Sequence, residues 1–474
     1  MTEILDPGAT AAVAPTASKR RPLAAVLAAV GIPMFMVTLD NLVVTNALPI
    51  IRTELGASLS DLQWFVNAYT LSFASLLLTA AAIGDRLGRR RVFLAGIALF
   101  TLASAACALA TEPWMLIAAR AIQGLGAAGV MPLSLTLLSA AVPERMRSAA
   151  IGIWGGISGL GVAVGPLVGG AVVEGLNWQW IFWVNVPIGL LALPFAVRML
   201  DESFGGSRRL DPLGLVFAAG GVLAPVWGVI HGAEDGWTSA GVLGSFIGGA
   251  TLLAALIFWE LRTPHPMLPL RLFRSRAFRV SNTTGFTFSV GVFGSIFLLA
   301  QYFQVVQGYN PLEAGIRTMP WTLAPMVVAP IAGLVVDRVG ARSLLTTGQG
   351  LLAVALAWMA AITTIDVGYA AFVGPFLLGG IGMGLTFAPG STVVMASAAP
   401  EDRAMASGTN STIREVGVAM GVAVLASVFA SHGSYMSAQS YVDGLVPAMW
   451  VGAAIVAVGA VVSLLLPSRI DPGH

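Results

Sequence analysis

The sequence predicts an all-α polytopic membrane protein, with two six-helix bundles and two further helices inserted between them, fourteen spans in all. Three observations predict it. Hydrophobic residues fill 57% of 474 positions and charged residues only 10%, with a mean hydropathy of +0.84; soluble domains carry about 25% charged residues. Apolar segments of spanning length recur from end to end. A compact charged loop, Gly84-Asp85-Arg86-Leu87-Gly88-Arg89-Arg90-Arg91, returns in weaker form at 333–342, where Asp337 and Arg338 stand 252 positions beyond Asp85 and Arg86.

Residues 1–22 hold the Lys19-Arg20-Arg21 cluster and read as a cytoplasmic tail, since no small-residue cleavage site follows a short apolar core. Apolar segments at about 23–48, 61–83, 92–111, 113–140, 148–174 and 180–200 make the first bundle, 23–200. Those at about 211–231 and 239–261 form the inserted pair within 201–275. The second bundle, 276–467, holds segments at about 278–305, 313–336, 343–364, 371–397, 405–431 and 446–467, and 468–474 is a second cytoplasmic tail. An even number of spans places both termini on one face.

The basic residues say which face. Of 25, all but Arg52, Arg120, Arg317 and Arg414 fall in segments assigned to the cytoplasm, while the alternate loops carry Glu54, Asp61, Glu112, Glu234, Asp235, Asp366 and Asp443. The lone cysteine, Cys107, sits in an apolar run and permits no intramolecular disulfide. The repeat extends beyond the charged loop: Arg120-x-x-Gln123-Gly124-x-Gly126 is echoed by Gly380-Ile381-Gly382, and Pro143-Glu144-Arg145 by Pro400-Glu401-Asp402-Arg403. Parallel halves meeting at a midplane site are the architecture of a secondary transporter.

Within the spans, an acid costs about 2.5–3.5 kcal/mol to insert and is a functional candidate by default. Asp40 lies about eight residues from the outer end of the first span, and Arg120 about seven from the outer end of the fourth, which runs the opposite way. At about 1.5 Å per residue both sit roughly 10–12 Å deep, so they can meet. Two readings stand. Asp40 takes up and releases a proton while Arg120 favours its ionised form, or the two form a permanent structural pair.

The loop glycines Gly84 and Gly88 permit a tight turn, Asp85 is placed to cap the following helix, and the arginines anchor the cytoplasmic face. Gly161, Gly165 and Gly169 recur every four residues on one helix face beside Pro166, a packing and kinking pattern. Glu313 and Arg317 read as an interfacial ion pair, and Glu174 and Glu260 as solvated helix ends. Candidates for a substrate cavity are Asn41, Trp64, Asn67, Tyr69, Gln123, Trp321, Met326, Arg414 and Glu415. Aromatic and methionine side chains adapt to flat, greasy molecules, although belting and packing account equally for membrane tryptophans.

Other classes are excluded by what is missing. A phosphate-binding loop needs a lysine, and Lys19 is alone in the chain. His231, His265, His432 and His474 have no metal-ligand spacing. No metal, cofactor, nucleic-acid partner or enzymatic activity is expected, and a membrane-embedded enzyme is the remote alternative.

The loop Gly84-Asp85-Arg86-x-Gly88-Arg89-Arg90 resembles the first signature of the major facilitator superfamily. Arg120-x-x-Gln123-Gly124-x-Gly126 is similar to its fourth-helix proton motif, and Gly161-x-x-x-Gly165-Pro166-x-x-Gly169-Gly170 to its fifth-helix antiporter motif. Leu39-Asp40 with Ala47-Leu48-Pro49, and Trp178-x-Trp180-Ile181-Phe182-x-x-Asn185-x-Pro187-x-Gly189, look like the fourteen-helix drug:proton antiporter branch. The resemblance implies a major facilitator fold in the cytoplasmic membrane, working as a monomer by alternating access. It implies proton-coupled multidrug efflux, with hydrophobic, often cationic drugs or antiseptics exported against protons and antibiotic resistance as the consequence. It makes residues 84–90, with Asp337 and Arg338, a conformational latch between the bundles. An endogenous metabolite, lipid or self-made antibiotic is the alternative cargo.

Overall fold

A computed structural model describes residues 22–204, 211–264, 266, 268, 270–398 and 403–467. Both expected tails, but for Pro22, lie outside these residues, as do the side chains of Asn41 and Asp337. Among the described residues the regular structure is helical throughout. The first seven helices are α1 (Leu23–Leu55), α2 (Leu59–Leu87), α3 (Arg89–Ala108), α4 (Pro113–Ala141), α5 (Glu144–Gly175), the single turn α6 (Trp180–Trp183) and α7 (Asn185–Met199). The inserted pair is α8 (Pro212–Asp235) and α9 (Ala240–Glu260). The last six are α10 (Arg276–Val305), α11 (Pro311–Val339), α12 (Ala341–Ile362), α13 (Ala370–Ala396), α14 (Arg403–His432) and α15 (Ala438–Ser463).

Twelve helices among the described residues are long and apolar enough to cross a bilayer, and a thirteenth if α2, bent by 50° after Leu77, is one span. The expected fourteen are therefore not all met on that measure. The remaining one, α5, is 32 residues long; the side chains of several of its residues lie outside those described, and Val164–Gly175 is an apolar stretch within it.

The two copies of the charged loop fold alike. Gly88 alone separates α2 from α3, and Gly340 alone separates α11 from α12, at φ 111° and 87°. Each glycine N–H bonds four residues back, to Gly84 O and Val336 O. A side chain resists that backbone, so glycine is what allows two spans to reverse with a one-residue turn. The packing glycines repeat too. A Cβ on Gly126 would lie 3.0 Å from Gly96 O between α4 and α3; one on Gly382 would lie 2.6 Å from Gly348 O between α13 and α12. Backbones approach that closely only without side chains, the means by which spans associate in lipid.

Helices α1–α7 pack as one bundle and α10–α15 as another; they meet along α5 against α11 and α2 against α14. Helix α8 lies over the α2–α14 seam, where Val226, Val229 and Ile230 join Leu71, Ala419 and Ala423. The cores reveal which end is closed. At the face away from the arginine loop one continuous core crosses both bundles, from Val43, Leu48 and Phe65 to Phe303, Trp321 and Phe429. Towards the arginine face the cores separate, one built only from α1–α7 and the flanking Val142 and Leu200, and two only from residues beyond 270.

Candidate functional site

The seam at the far face is held by backbone contact. A Cβ on Gly170 of α5 would stand 2.3 Å from Pro311 O, and one on Gly315 of α11 would stand 2.4 Å from Pro166 O. Asn46 braces the same point: its Nδ2 donates to Pro166 O at 2.7 Å, and its carbonyl accepts from Gln304 Nε2 of the opposite bundle at 2.8 Å. Arg52 lies 4.1 Å over the Tyr435 ring, and Tyr435 donates to Gln301 Oε1 at 2.6 Å. Burial pushes the Tyr435 phenol up, partly offset by Arg52. Among the described residues, the polar and ring contacts that join the bundles, Gln304 to Asn46 O and Arg52 to Tyr435, lie in this half. The cleft opens towards the arginine face.

The remaining antiporter-motif glycines serve one bundle. Gly161 faces Thr38, Gly165 faces Leu42 and Gly169 faces Val43, so the four-residue stripe seats α5 on α1. Gly170, one position on, turns to the other bundle.

Beneath the seam lies a buried polar knot within the first bundle. Asp40 and Arg120 are 2% and 0% exposed, and Arg120 Nη1 donates to Asp40 Oδ2 at 2.5 Å. The meeting anticipated from equal depth is realised. Asp40 Oδ1 accepts from Gln123 Nε2 at 2.9 Å and Asn185 Nδ2 at 2.8 Å, so both oxygens of the carboxylate are bonded. Arg120 also donates to Phe65 O at 3.0 Å and Gln123 Oε1 at 2.6 Å, and its guanidinium lies 4.2 Å over the Tyr69 ring; its Nη2 has no partner. Ser104 Oγ accepts from Gln123 Nε2 at 2.8 Å. Charge-assisted bonds of this kind, each about 1.5–3 kcal/mol, offset the desolvation of the ion pair.

Local chain features deliver Asn185. Trp178 is fully buried and donates to Glu54 Oε2 at 2.9 Å, anchoring the entry to the sixth span. The helix restarts at Asn185, and Gly189 brings α7 so close to α3 that a Cβ would stand on Thr101 Oγ1. Asn185 enters the sequence only through a resemblance, and Ser104, which accepts from Gln123, carries no motif. The signal available was polarity: both are hydrogen-bonding residues in apolar runs.

The other expected positions divide. Gln123 and Tyr69 belong to the knot and not to a cavity wall: they are 0% and 1% exposed. Trp321 lines a cavity at the seam with Asn46, Pro166, Phe293, Phe376 and Met383, and its Nε1 has no partner. Asn67 is fully buried with neither amide atom bonded. Trp64 packs against the α8–α14 cluster, and Met326 is 36% exposed. Arg414 and Glu415 are half-buried on α14.

At the charged loop Asp85 does not cap α3, which has no side-chain cap; it lies in the last turn of α2 and pairs with Arg89 at 2.7 Å. The loop clasps its own half. Glu202, just beyond α7, accepts from Arg90 N at 2.8 Å and approaches Arg91 Nε at 3.7 Å, while Arg90 Nη1 donates to Leu200 O at 3.0 Å. Arg86 is exposed. Glu313 and Arg317 form the anticipated pair at 3.8 Å. Glu260 departs from expectation: it is 5% exposed and accepts from Leu268 N, because the chain after α9 folds back over the helix end.

Two bundles, a cleft open at one end and an ion pair sealed within a span define a membrane transporter. Residues 30–422 and 283–473 match the profile of the Major Facilitator Superfamily, and the chain belongs to that family. It is 37% identical over 414 residues to the multidrug resistance protein Stp of Mycobacterium tuberculosis, covering 85% of this chain and 75% of that protein. It is 32% identical to the tetracenomycin C resistance and export protein of Streptomyces glaucescens (94% and 84% covered) and 37% identical to the cephamycin export protein CmcT of Amycolatopsis lactamdurans (85% and 85%). The crystal structure of a bacterial homologue of the human lysosomal transporter Spinster, inward-facing and unoccupied, superposes with a TM-score of 0.69 at 18% identity, covering 95% and 98% of the two chains. That likeness concerns the fold. The chain is a multi-pass membrane transporter of the drug-efflux kind, not an enzyme.

Proposed function

We propose that this protein exports hydrophobic, often cationic compounds from the cell in exchange for protons, with Asp40 as the proton-carrying group and Arg120 as its regulator. The relatives named as resistance or export proteins support the export reading. The arginine face is cytoplasmic by its charge, which makes the present conformation open inward.

The observation that carries the coupling is the complete bonding of Asp40. Both oxygens accept from Arg120, Gln123 and Asn185, which supports reading this as the proton-released state. Opening the far face moves α1 against its neighbours; loss of the Arg120 contact then leaves a desolvated carboxyl that takes a proton from outside. Return to the inward state restores Arg120 and expels the proton to the cytoplasm. Each proton contributes about 2.3 kcal/mol per 100 mV and about 1.4 kcal/mol per pH unit. The loop at 84–90, with Asp337 and Arg338, acts as the latch when the cleft closes on the cytoplasmic side, Arg89 held meanwhile by Asp85 and the Arg90 side chain by Leu200 O.

Reconstituted Asp40→Asn protein tests this. Wild type should move protons when substrate is added across vesicles with an imposed pH gradient, and the variant should not. Undiminished proton movement in the variant would make Asp40–Arg120 a structural pair only. A self-made antibiotic or metabolite as cargo is favoured by the antibiotic-export relatives, and a panel of both compound classes separates the two.

A further inference from the structure

We infer that Glu415 is the group that recognises the charge of a lipophilic monocation, a cargo site in the second bundle separate from the proton site at Asp40. The inference rests on the export reading above and names the residue that would make cationic cargo distinguishable from neutral cargo.

Among the described residues, Asp40 and Glu415 are the acids set deep in a span; the others stand in loops or within two turns of a helix end. Glu415 lies twelve residues from the start of α14, about 18 Å along it. The two acids are bonded in opposite ways. Both Asp40 oxygens are taken up by three donors, leaving it nothing to offer a ligand in this state. Glu415 Oε2 is buried and has no hydrogen-bond partner. A buried carboxylate oxygen left unbonded is costly, and such a group persists where something else completes it.

Arg414 does not complete it. Its stem packs on Gly285 of α10 and its guanidinium lies 4.0 Å over the Phe387 ring of α13, with Nε unpaired. No ion pair joins Arg414 and Glu415 among the described residues. The guanidinium beside it, turned to the Phe387 ring, leaves Glu415 Oε2 without a donor.

The placement suits a cargo arriving from the cytoplasm. Positions 415, 419 and 423 share one face of α14. Ala419 and Ala423 pack on Leu71 of α2 and Val226 of α8, with Trp64 and Met420 beside them. Glu415 is one turn nearer the open end of that stripe. Phe387, under the Arg414 guanidinium, and Met420, five positions on along α14, supply an aromatic face and a thioether near this position, side chains that suit a bulky cation making few hydrogen bonds. A quaternary phosphonium or ammonium has that chemistry.

The full-length protein is tested with two probes of matched shape, tetraphenylphosphonium and neutral triphenylphosphine oxide, by equilibrium binding in detergent. For Glu415→Gln the expected result is at least a tenfold loss of phosphonium affinity with the neutral probe within twofold of wild type; Glu415→Asp should retain most phosphonium binding. Phosphonium affinity unchanged in Glu415→Gln, or an equal loss of both probes, overturns the inference. Wild type failing to bind either probe would instead strike at the export reading itself.

Discussion

Gly315→Ala should shift the protein away from the conformation described. The added methyl would stand 2.4 Å from Pro166 O and 3.0 Å from its carbon, both backbone atoms of the opposite bundle. No rotamer relieves that, so α5 and α11 must part at the far face. Overpacking of this kind costs about 1–3 kcal/mol, and because only the far-closed state contains the contact, the equilibrium moves by roughly 5- to 150-fold towards the far-open state. Spin labels at Glu174→Cys and Glu313→Cys, near the far ends of α5 and α11, report the separation by pulsed electron resonance. Cys107 is buried and does not compete for label. The expected outcome is a second, longer distance in the Gly315→Ala background that grows at the expense of the short one. An unaltered distribution in a variant that melts normally would refute the argument that the seam depends on backbone contact.

Other substitutions probe the buried knot. Asn185→Leu removes a donor to Asp40 Oδ1 and should show a stability loss of about 1–3 kcal/mol in thermal melts. Arg120→Lys should fall at least tenfold in transport without rescue by higher substrate. A single ammonium cannot keep the planar contacts to Asp40, Gln123, Phe65 O and the Tyr69 face together; near-normal transport by the lysine variant would show that charge alone suffices.

The sequence was most legible where one-dimensional quantities decide the outcome. Span positions follow from apolar length, and the Asp40–Arg120 contact follows from counting residues to the membrane surface, because helix rise is fixed. The repeated Gly88 and Gly340 turns were readable because a one-residue reversal demands an unusual backbone. What escaped depends on azimuth and on chain breaks. Asn185 reaches Asp40 only because the sixth span starts with a separate turn and Gly189 permits close approach to α3. Asp85 was expected to cap α3 but falls inside α2, since the helix continues to Leu87. The sequence offers Gln123 as a cavity candidate, yet a rotation of about 100° per residue separates wall from interior, and hydropathy carries no information on which is which.

The repeat also explains why the two bundles do different work. At the offset of 256 that relates Gly124 to Gly380 and Gly126 to Gly382, Arg120 corresponds to Phe376 and Gln123 to Gly379. The packing glycines are kept in both halves, and the ion-handling residues are not. In the first bundle this turn of helix holds a guanidinium and an amide against a carboxylate. In the second, Phe376 lines the seam cavity with its ring centre 6.2 Å from that of Trp321, and the missing side chain at Gly379 makes the space in which Trp321 sits. One scaffold thus carries a buried ion pair on one side and an apolar aromatic wall on the other. Under the proposed exchange, rocking the bundles would change the water around the first without rebuilding the second, a separation that would let cargo of varied shape be exchanged against a proton handled by fixed geometry.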